Sequence, residues 1–292
     1  MKKSKKPNAG DRGTFTIGGD MPVNRLGYGS MRLTGKGIWG PPEHPAEARK
    51  LLRRVVDLGV NFIDTADSYG PEVSESLIAE ALHPYPAGLV IATKGGLTRQ
   101  GPDQWAPVGR PEYLRQCVEM SLRRLRVDRI DLYQLHRIDP EVPAEESLGA
   151  LKELQTAGKI RHIGLSNVTP AEIEAARKFV TIVSVQNEYN LGNRKSEKTL
   201  EYCAKEGLGF IPWFPMAAGA LDKPGGVLDE FAKHEGVSVA QLALAWLLHR
   251  SPVMLPIPGT SSIAHLVKDI GAASIFLNDS GWSKIESVLP KP

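Results

Sequence analysis

Cysteine is scarce. Cys117 and Cys203 are the only two in 292 residues, and they lie far apart with no CxxC or Cys/His spacing. That excludes a disulfide framework and a cysteine-based zinc site, and makes a reducing, cytoplasmic setting the default expectation. No eighteen apolar residues run together, so no membrane-spanning helix is expected. MKKSKK has the charge of a signal-peptide start, but PNAGDRGTFTIGGD follows where the apolar core would have to be, so no secretion signal is read. The seven histidines show no HxxxH or HxH pairing, and hence no metal motif. Excess charge is small as well, with Lys+Arg 36 against Asp+Glu 33 for a net +3. The first twelve residues hold five basic residues and one acidic, which is +4 and leaves −1 on the remainder. A basic tip is not a basic surface, so neither a nucleic acid nor an acidic partner is expected. Residues 1–12 are read as a disordered tail and 13–292 as one domain.

What is present is the material of a soluble globular protein, 41% hydrophobic and 24% charged. Short β-rich apolar runs alternate with helical stretches, the mark of βα units and a parallel sheet. Eight strands are predicted at 25–30, 61–65, 89–94, 130–136, 160–166, 182–187, 209–213 and 253–257. Among the helices between them, Leu114, Cys117, Val118, Ser121, Leu122 and Leu125 make one stripe at helical spacing, and 239–248 is apolar nearly all round. Roughly 30 residues per unit fit an eight-stranded (β/α)8 TIM barrel of the α/β class. Thr14 to Val23 alternates around Gly18-Gly19 and is read as a hairpin capping the barrel bottom. A doubly wound sheet is the alternative, but Gly27-Tyr28-Gly29 runs on into Ser-Met-Arg without the third glycine of a dinucleotide-binding turn.

Barrel chemistry sits at the carboxyl ends of strands, and these ends are polar. Strand two stops in IDTADSYG (63–70), strand three in ATKGG (92–96), strand four in DLYQLH (131–136), strand five in IGLSN (163–167) and strand six in VQNEY (185–189). Asp64, Tyr69, Lys94 and His136 thus converge on one rim as an acid/base set built around a phenol. Taken singly, Asp64 and Lys94 serve equally well as a plain ion pair and Tyr69 as a loop cap. All four at successive strand ends point to catalysis.

These motifs, in this order, resemble the aldo-keto reductase family from about Thr14 to the end of the barrel. The resemblance implies a catalytic tetrad at Tyr69, Asp64, Lys94 and His136. It implies further that Ser166, Asn167 and Gln186 bind a nicotinamide carboxamide and that Trp213 stacks on the ring, where many members have Tyr. Within the family, GPPEHP, IGLSNVTP, VQNEYN and the WFP run are most similar to members of the pyridoxal reductase type, which implies an aromatic aldehyde such as pyridoxal as substrate. An NADPH-dependent reduction of an aldehyde or ketone is therefore expected, in a monomer or weak homo-oligomer, with NADH as the other cofactor candidate. A nucleotide-sensing regulatory subunit is the competing reading, because the same fold serves in one. A barrel lyase or isomerase rests on fold analogy alone.

The physical logic of the set runs beside the resemblance. A free phenol has a pKa near 10, and an ammonium about 4 Å away contributes roughly 4 kcal/mol at an effective dielectric of ~20. On that arithmetic Lys94 would bring Tyr69 near 7, with Asp64 orienting Lys94 and His136 fixing the carbonyl. Without a Rossmann loop the cofactor needs another anion site. Gly259, Thr260, Ser261 and Ser262 open a helix after strand eight and offer backbone N–H groups and hydroxyls, although a plain turn with a serine cap reads the same way. By the resemblance, His265 stands where many members grip the 2′-phosphate with Arg, and Lys268 and Asp269 stand where the adenine is met. Trp39 and Trp105, in Gly/Pro-rich loops after strands one and three, either line a substrate pocket or pack locally. Gly164-Leu165-Ser166-Asn167-Val168 lacks the second glycine of a serine-hydrolase elbow. The sequons at Asn167 and Asn278 are read as chance.

Overall fold

The computed structural model describes residues 6–217 and 224–289. In chain order the elements are β1 (Thr14–Ile17), β2 (Met21–Asn24), β3 (Tyr28–Gly29), α1 (Pro45–Asp57), β4 (Phe62–Asp64), α2 (Val73–Leu82), β5 (Val90–Gly95), β6 (Leu97–Gly101), β7 (Gln104–Pro107), α3 (Pro111–Leu125) and β8 (Ile130–Leu135). There follow α4 (Ala144–Thr156), β9 (Ile160–Ser166), α5 (Pro170–Ala176), β10 (Ile182–Glu188), α6 (Glu197–Glu206), β11 (Gly209–Trp213), α7 (Val227–His234), α8 (Val239–Arg250), α9 (Ile263–Gly271) and α10 (Asp279–Val288).

Seven strands form one parallel sheet in the order β11-β10-β9-β8-β5-β4-β3, and the helices between them lie outside it. The eighth predicted strand, 253–257, makes only an isolated bridge from Phe210 to Met254. Its backbone nevertheless closes the barrel. Phe210 donates to Val253 O and Leu255 to Phe210 O on one side, while Gly27 donates to Pro256 O and Gly29 to Pro258 O on the other. Pro252, Pro256 and Pro258 bring no N–H, so the segment mostly accepts and no regular ladder forms.

Period-two alternation sorts the strand residues. Phe62, Val90, Ala92, Leu132, Val183, Ile211, Leu255 and Ile257 fill the barrel interior, and Ile17, Met21 and Val23 of the β1–β2 hairpin plug its lower end. Tyr133 and Leu135 point outward into the layer formed with Leu114, Val118 and Leu148 of the surrounding helices. The buried stripe of α3 is Leu114, Cys117, Val118, Ser121, Leu122 and Leu125, and α8 is buried from Leu242 to Leu248. Capping boxes set two helix starts, Thr169 with Glu172 for α5 and Ser238 with Gln241 for α8.

Of the tail expected at 1–12, residues 1–5 lie outside the described residues, and the part from Asn8 on is ordered. Asn8 caps a 310 turn over Ala9–Arg12, Ala9 is fully buried with its N–H on Leu58 O, and Arg12 Nη1 donates to Ile275 O at 2.8 Å. Charge alone suggested disorder; a small apolar residue and a carbonyl within reach of Arg12 supply the order. The segment after β5, read as a loop, is the antiparallel hairpin β6–β7.

At the seam the backbones of β3 and the closing segment nearly touch. A Cβ on Gly29 would lie 2.7 Å from Ile257 O, and one on Gly259 would lie 2.7 Å from Gly29 O. Gly29→Ala is accordingly expected to cost about 1–3 kcal/mol of unfolding free energy through overpacking against backbone that cannot give way, measured by urea denaturation.

Candidate active site

The same alternation that fills the barrel with apolar groups places polar ones at its upper end. Continuing Phe62 inward gives Asp64; Val90 and Ala92 lead to Lys94; Leu132 leads to Gln134 and His136; Ile211 leads to Trp213. Tyr69 reaches the same place from the turn between β4 and α2. Lys94 is fully buried, and its ammonium donates to Asp64 Oδ2 at 2.6 Å, Thr65 O at 2.8 Å and the Tyr69 hydroxyl at 3.4 Å. The other oxygen of Asp64 accepts from Gln186 Nε2 at 2.8 Å and Gln134 Nε2 at 3.1 Å. His136 Nδ1 lies 3.4 Å from Ser68 Oγ, and the Tyr69 and His136 rings meet edge-on at 6.0 Å. All four residues of the expected acid/base set are thus brought together.

Electrostatics at this floor depart from the sequence reading in one respect. Burial pushes the Tyr69 hydroxyl above its usual value; Lys94 opposes that shift while Asp64 adds to it. The phenol therefore stays protonated at neutral pH instead of approaching 7, because burial outweighs the opposing field of the ammonium and the carboxylate beside it adds to the rise. Lys94 is itself held above its ordinary pKa: burial works against its charge, but Asp64 and Tyr69 overcome the penalty. His136 lies well below the ordinary imidazole value through burial and the charges of Lys94 and Arg137, so it is neutral.

Above the floor opens a cavity of about 800 Å³, within the range of small-molecule and cofactor sites. Tyr69, Trp105, His136, Asn167 and Trp213 line it, and at the seam Gly29 and Gly259 present bare backbone. Asn167, at φ +59°, donates to Ser166 Oγ at 2.9 Å and accepts from Trp213 Nε1 at 3.2 Å. That bond fixes the indole at the wall. Gln186 also lines the cavity, but its amide nitrogen is spent on Asp64 Oδ1 and, at 3.5 Å, on Gln134 Oε1, which leaves only its carbonyl oxygen for a ligand. Trp105 lines the cavity, whereas Trp39 lies outside it and is exposed.

The helix start after the seam is less uniform than expected. Ser262 caps α9 by accepting from His265 N, and Thr260 Oγ1 accepts from Ser262 N at 3.1 Å, so both hydroxyls are engaged locally. The first-turn N–H groups of α9 keep the partial positive charge of a helix N-terminus. Ser261, His265 and Lys268 are exposed. Asp269 is instead buried beside Leu266 and Ile270, with Oδ2 unpartnered and its carboxyl pushed up to about 7 by burial. It faces away from solvent and is not among the residues that line the cavity.

Sequence reasoning missed Thr65, Ser68 and Gln134 as members of the floor and wall. Gln134 was open to discovery, since it alternates in register with His136 on β8; the contacts of Thr65 and Ser68 depend on how their loop turns and carry no periodic signal. Among the described residues no cluster of three or more His, Cys, Asp or Glu side chains is arranged for a metal ion, and no helix is long and apolar enough to cross a membrane.

The aldo/keto reductase family model matches residues 25–290. Pyridoxine 4-dehydrogenase of Escherichia coli is 42% identical, over 94% of this chain and 98% of that protein. An uncharacterized oxidoreductase of Schizosaccharomyces pombe is 53% identical, over 96% of this chain and 90% of that one. Among solved structures, an aldo-keto reductase from Klebsiella pneumoniae in complex with NADPH superposes with a TM-score of 0.81 at 26% identity, covering 96% of this chain and 95% of that one.

Burial of Asp269 gives a pH-dependent outcome. Its folded pKa of about 7 lies above the unfolded carboxylate value, so its contribution to stability is complete below about pH 4 and is lost as pH rises through 7. Asp269→Asn should therefore be more stable than the parent at pH 8 by on the order of 2–4 kcal/mol, with the gap closing toward pH 4. Thermal or urea unfolding of both chains at the two pH values reads this directly.

Proposed function

The chain belongs to the aldo/keto reductase family and is an oxidoreductase; from that premise we propose that it reduces an aldehyde or ketone to the alcohol with NADPH, using Tyr69 as the proton donor. The observation that carries this reading is the contact between a buried ammonium and a phenol at the floor of a ligand-sized cavity, Lys94 Nζ to Tyr69 OH at 3.4 Å.

The residues present fit a nicotinamide cofactor. Trp213, pinned by Asn167, offers an indole at the wall; Ser166, Asn167 and the carbonyl of Gln186 supply polar partners for a carboxamide. The bare backbone of Gly29 and Gly259 lines the cavity and would let a ligand run close to the main chain toward the N-terminus of α9, where Thr260 to Ser262 and His265 would meet its phosphates. The NADPH complex of the Klebsiella pneumoniae relative supports that choice of cofactor. When bound, the reduced nicotinamide supplies a hydride.

The protein's own part is proton delivery and orientation. Tyr69 stands protonated and gives its proton to the carbonyl oxygen as charge develops there. The phenolate left behind is attracted to the ammonium by about 5 kcal/mol at 3.4 Å and an effective dielectric of about 20, a gain made only as the proton leaves. Asp64 holds Lys94 in place. With Ser68 donating to Nδ1, neutral His136 keeps its Nε2 hydrogen for the substrate oxygen, fixing the carbonyl against Tyr69. The aromatic rings of Tyr69, Trp105, His136 and Trp213 suit a flat substrate, and pyridoxine 4-dehydrogenase as a relative supports an aromatic aldehyde such as pyridoxal.

The test follows loss of NADPH absorbance over a panel of aldehydes that includes pyridoxal. Turnover is expected with the parent chain, and Tyr69→Phe is expected to lose about 10²–10⁴-fold in kcat while NADPH affinity changes little. Activity of Tyr69→Phe within a few-fold of the parent would remove the phenol from the mechanism. Tight NADPH binding without turnover of any carbonyl would favour the nucleotide-sensing role instead.

A further inference from the structure

Arg99 lies on β6, outside the acid/base set, and every N–H of its guanidinium is committed. Nε donates to Gln104 O at 2.9 Å, Nη1 to Ile38 O at 2.6 Å and Ser68 O at 2.9 Å, and Nη2 to Gly37 O at 2.8 Å and Gly101 O at 3.2 Å. These carbonyls belong to three separate segments: the β6–β7 hairpin, the loop after β3, and the turn after β4 that carries Tyr69. The guanidinium also lies 3.6 Å from the ring centroid of Trp105 and 5.7 Å from that of Trp39, a cation between two indoles.

Two consequences reach the reacting groups. Trp105 stands edge-on to both Tyr69 and His136, each at 6.4 Å between centroids. Ser68, whose carbonyl Arg99 holds, carries the hydroxyl facing His136 Nδ1. The loop after β3 is under strain as well. Ile38 has φ +54°, a left-handed conformation that a β-branched residue adopts only when its surroundings impose it, and its side chain lines the cavity. Its carbonyl is gripped by Arg99 and by Gly70 N.

We infer that Arg99 is a positioning residue that builds the substrate wall, holding Trp105 against the Tyr69–His136 pair and Ile38 in the cavity and so selecting flat, bulky carbonyl substrates; this rests on reading the site as carbonyl-reducing. No simpler cation fills the role. An ammonium has three donors and no plane, so it can neither satisfy five carbonyls nor stack between two indoles.

Arg99→Lys keeps the charge and loses the fork. With NADPH, its KM for an aromatic aldehyde is expected to rise about tenfold or more relative to a short aliphatic aldehyde, while the NADPH dissociation constant stays within about twofold of the parent. Trp105→Leu, with Arg99 intact, should reproduce the split, and the double variant should lose little beyond either single one. Acrylamide quenching supplies a readout free of catalysis. The Trp105 contribution, taken as the difference between each chain and its Trp105→Phe counterpart, should be more accessible in Arg99→Lys. An unchanged aromatic-to-aliphatic ratio, a uniform fall for all substrates together with cofactor affinity, additive effects in the double variant, or unchanged quenching would each overturn the assignment. If the parent reduces no carbonyl at all, the reading of the site fails, and quenching still decides whether Arg99 holds Trp105.

Discussion

Everything at the mouth of this barrel hangs on the ion pair between Lys94 and Asp64, which is 2.6 Å long and sealed from water. Taking two charges out of solvent is repaid only when each remaining lone pair and proton finds a partner. Here they do. The three ammonium hydrogens go to Asp64, Thr65 O and Tyr69, and the second carboxylate oxygen takes one amide from β8 and one from β10. The pair thereby ties β4, β5, β8 and β10 across the barrel. Removing one partner of such a pair typically costs about 3–5 kcal/mol, so the group that tunes the phenol also keeps the sheet curled beneath it.

The interior divides into two media. Below the pair, aliphatic and aromatic groups from the strands and the β1–β2 hairpin exclude water; above it, indoles and amides enclose the cavity. Lys94 sits at the boundary with no exposed surface, and that position gives its charge reach. A Tyr69–Lys94 contact of the same length in bulk water would be worth about 1 kcal/mol.

Much of this arrangement was legible in the sequence for a definite reason. Strand parity is a two-residue code, so once Phe62 and Leu132 face inward, Asp64, Gln134 and His136 must follow. Three things escaped it. The eighth strand counted as apolar material but its prolines withhold donors, so pairing replaces a ladder with scattered bonds. The β6–β7 hairpin has Gly and Pro at its turn and only short alternation, which reads as loop. The Tyr69 acidity came from a single pairwise charge, whereas the outcome is set first by burial, which raises it, with Lys94 opposing and Asp64 adding to the rise. Asp269 shows the same limit in another form, since helical position alone does not tell which side of α9 meets the barrel.

The prolines of the closing segment have one more effect. A cylinder with six laddered joins and two sparse ones opens first at a sparse one, because local opening follows the fewest backbone bonds, and one of the two is the join between β3 and the closing segment. Gly29 and Gly259 sit on opposite banks of that join and both line the cavity. A molecule lying along them acts as a strap: its residence and the shutting of the barrel are two readings of one equilibrium, and amide hydrogens around Gly27 and Gly29 are the ones whose exchange slows when it is in place.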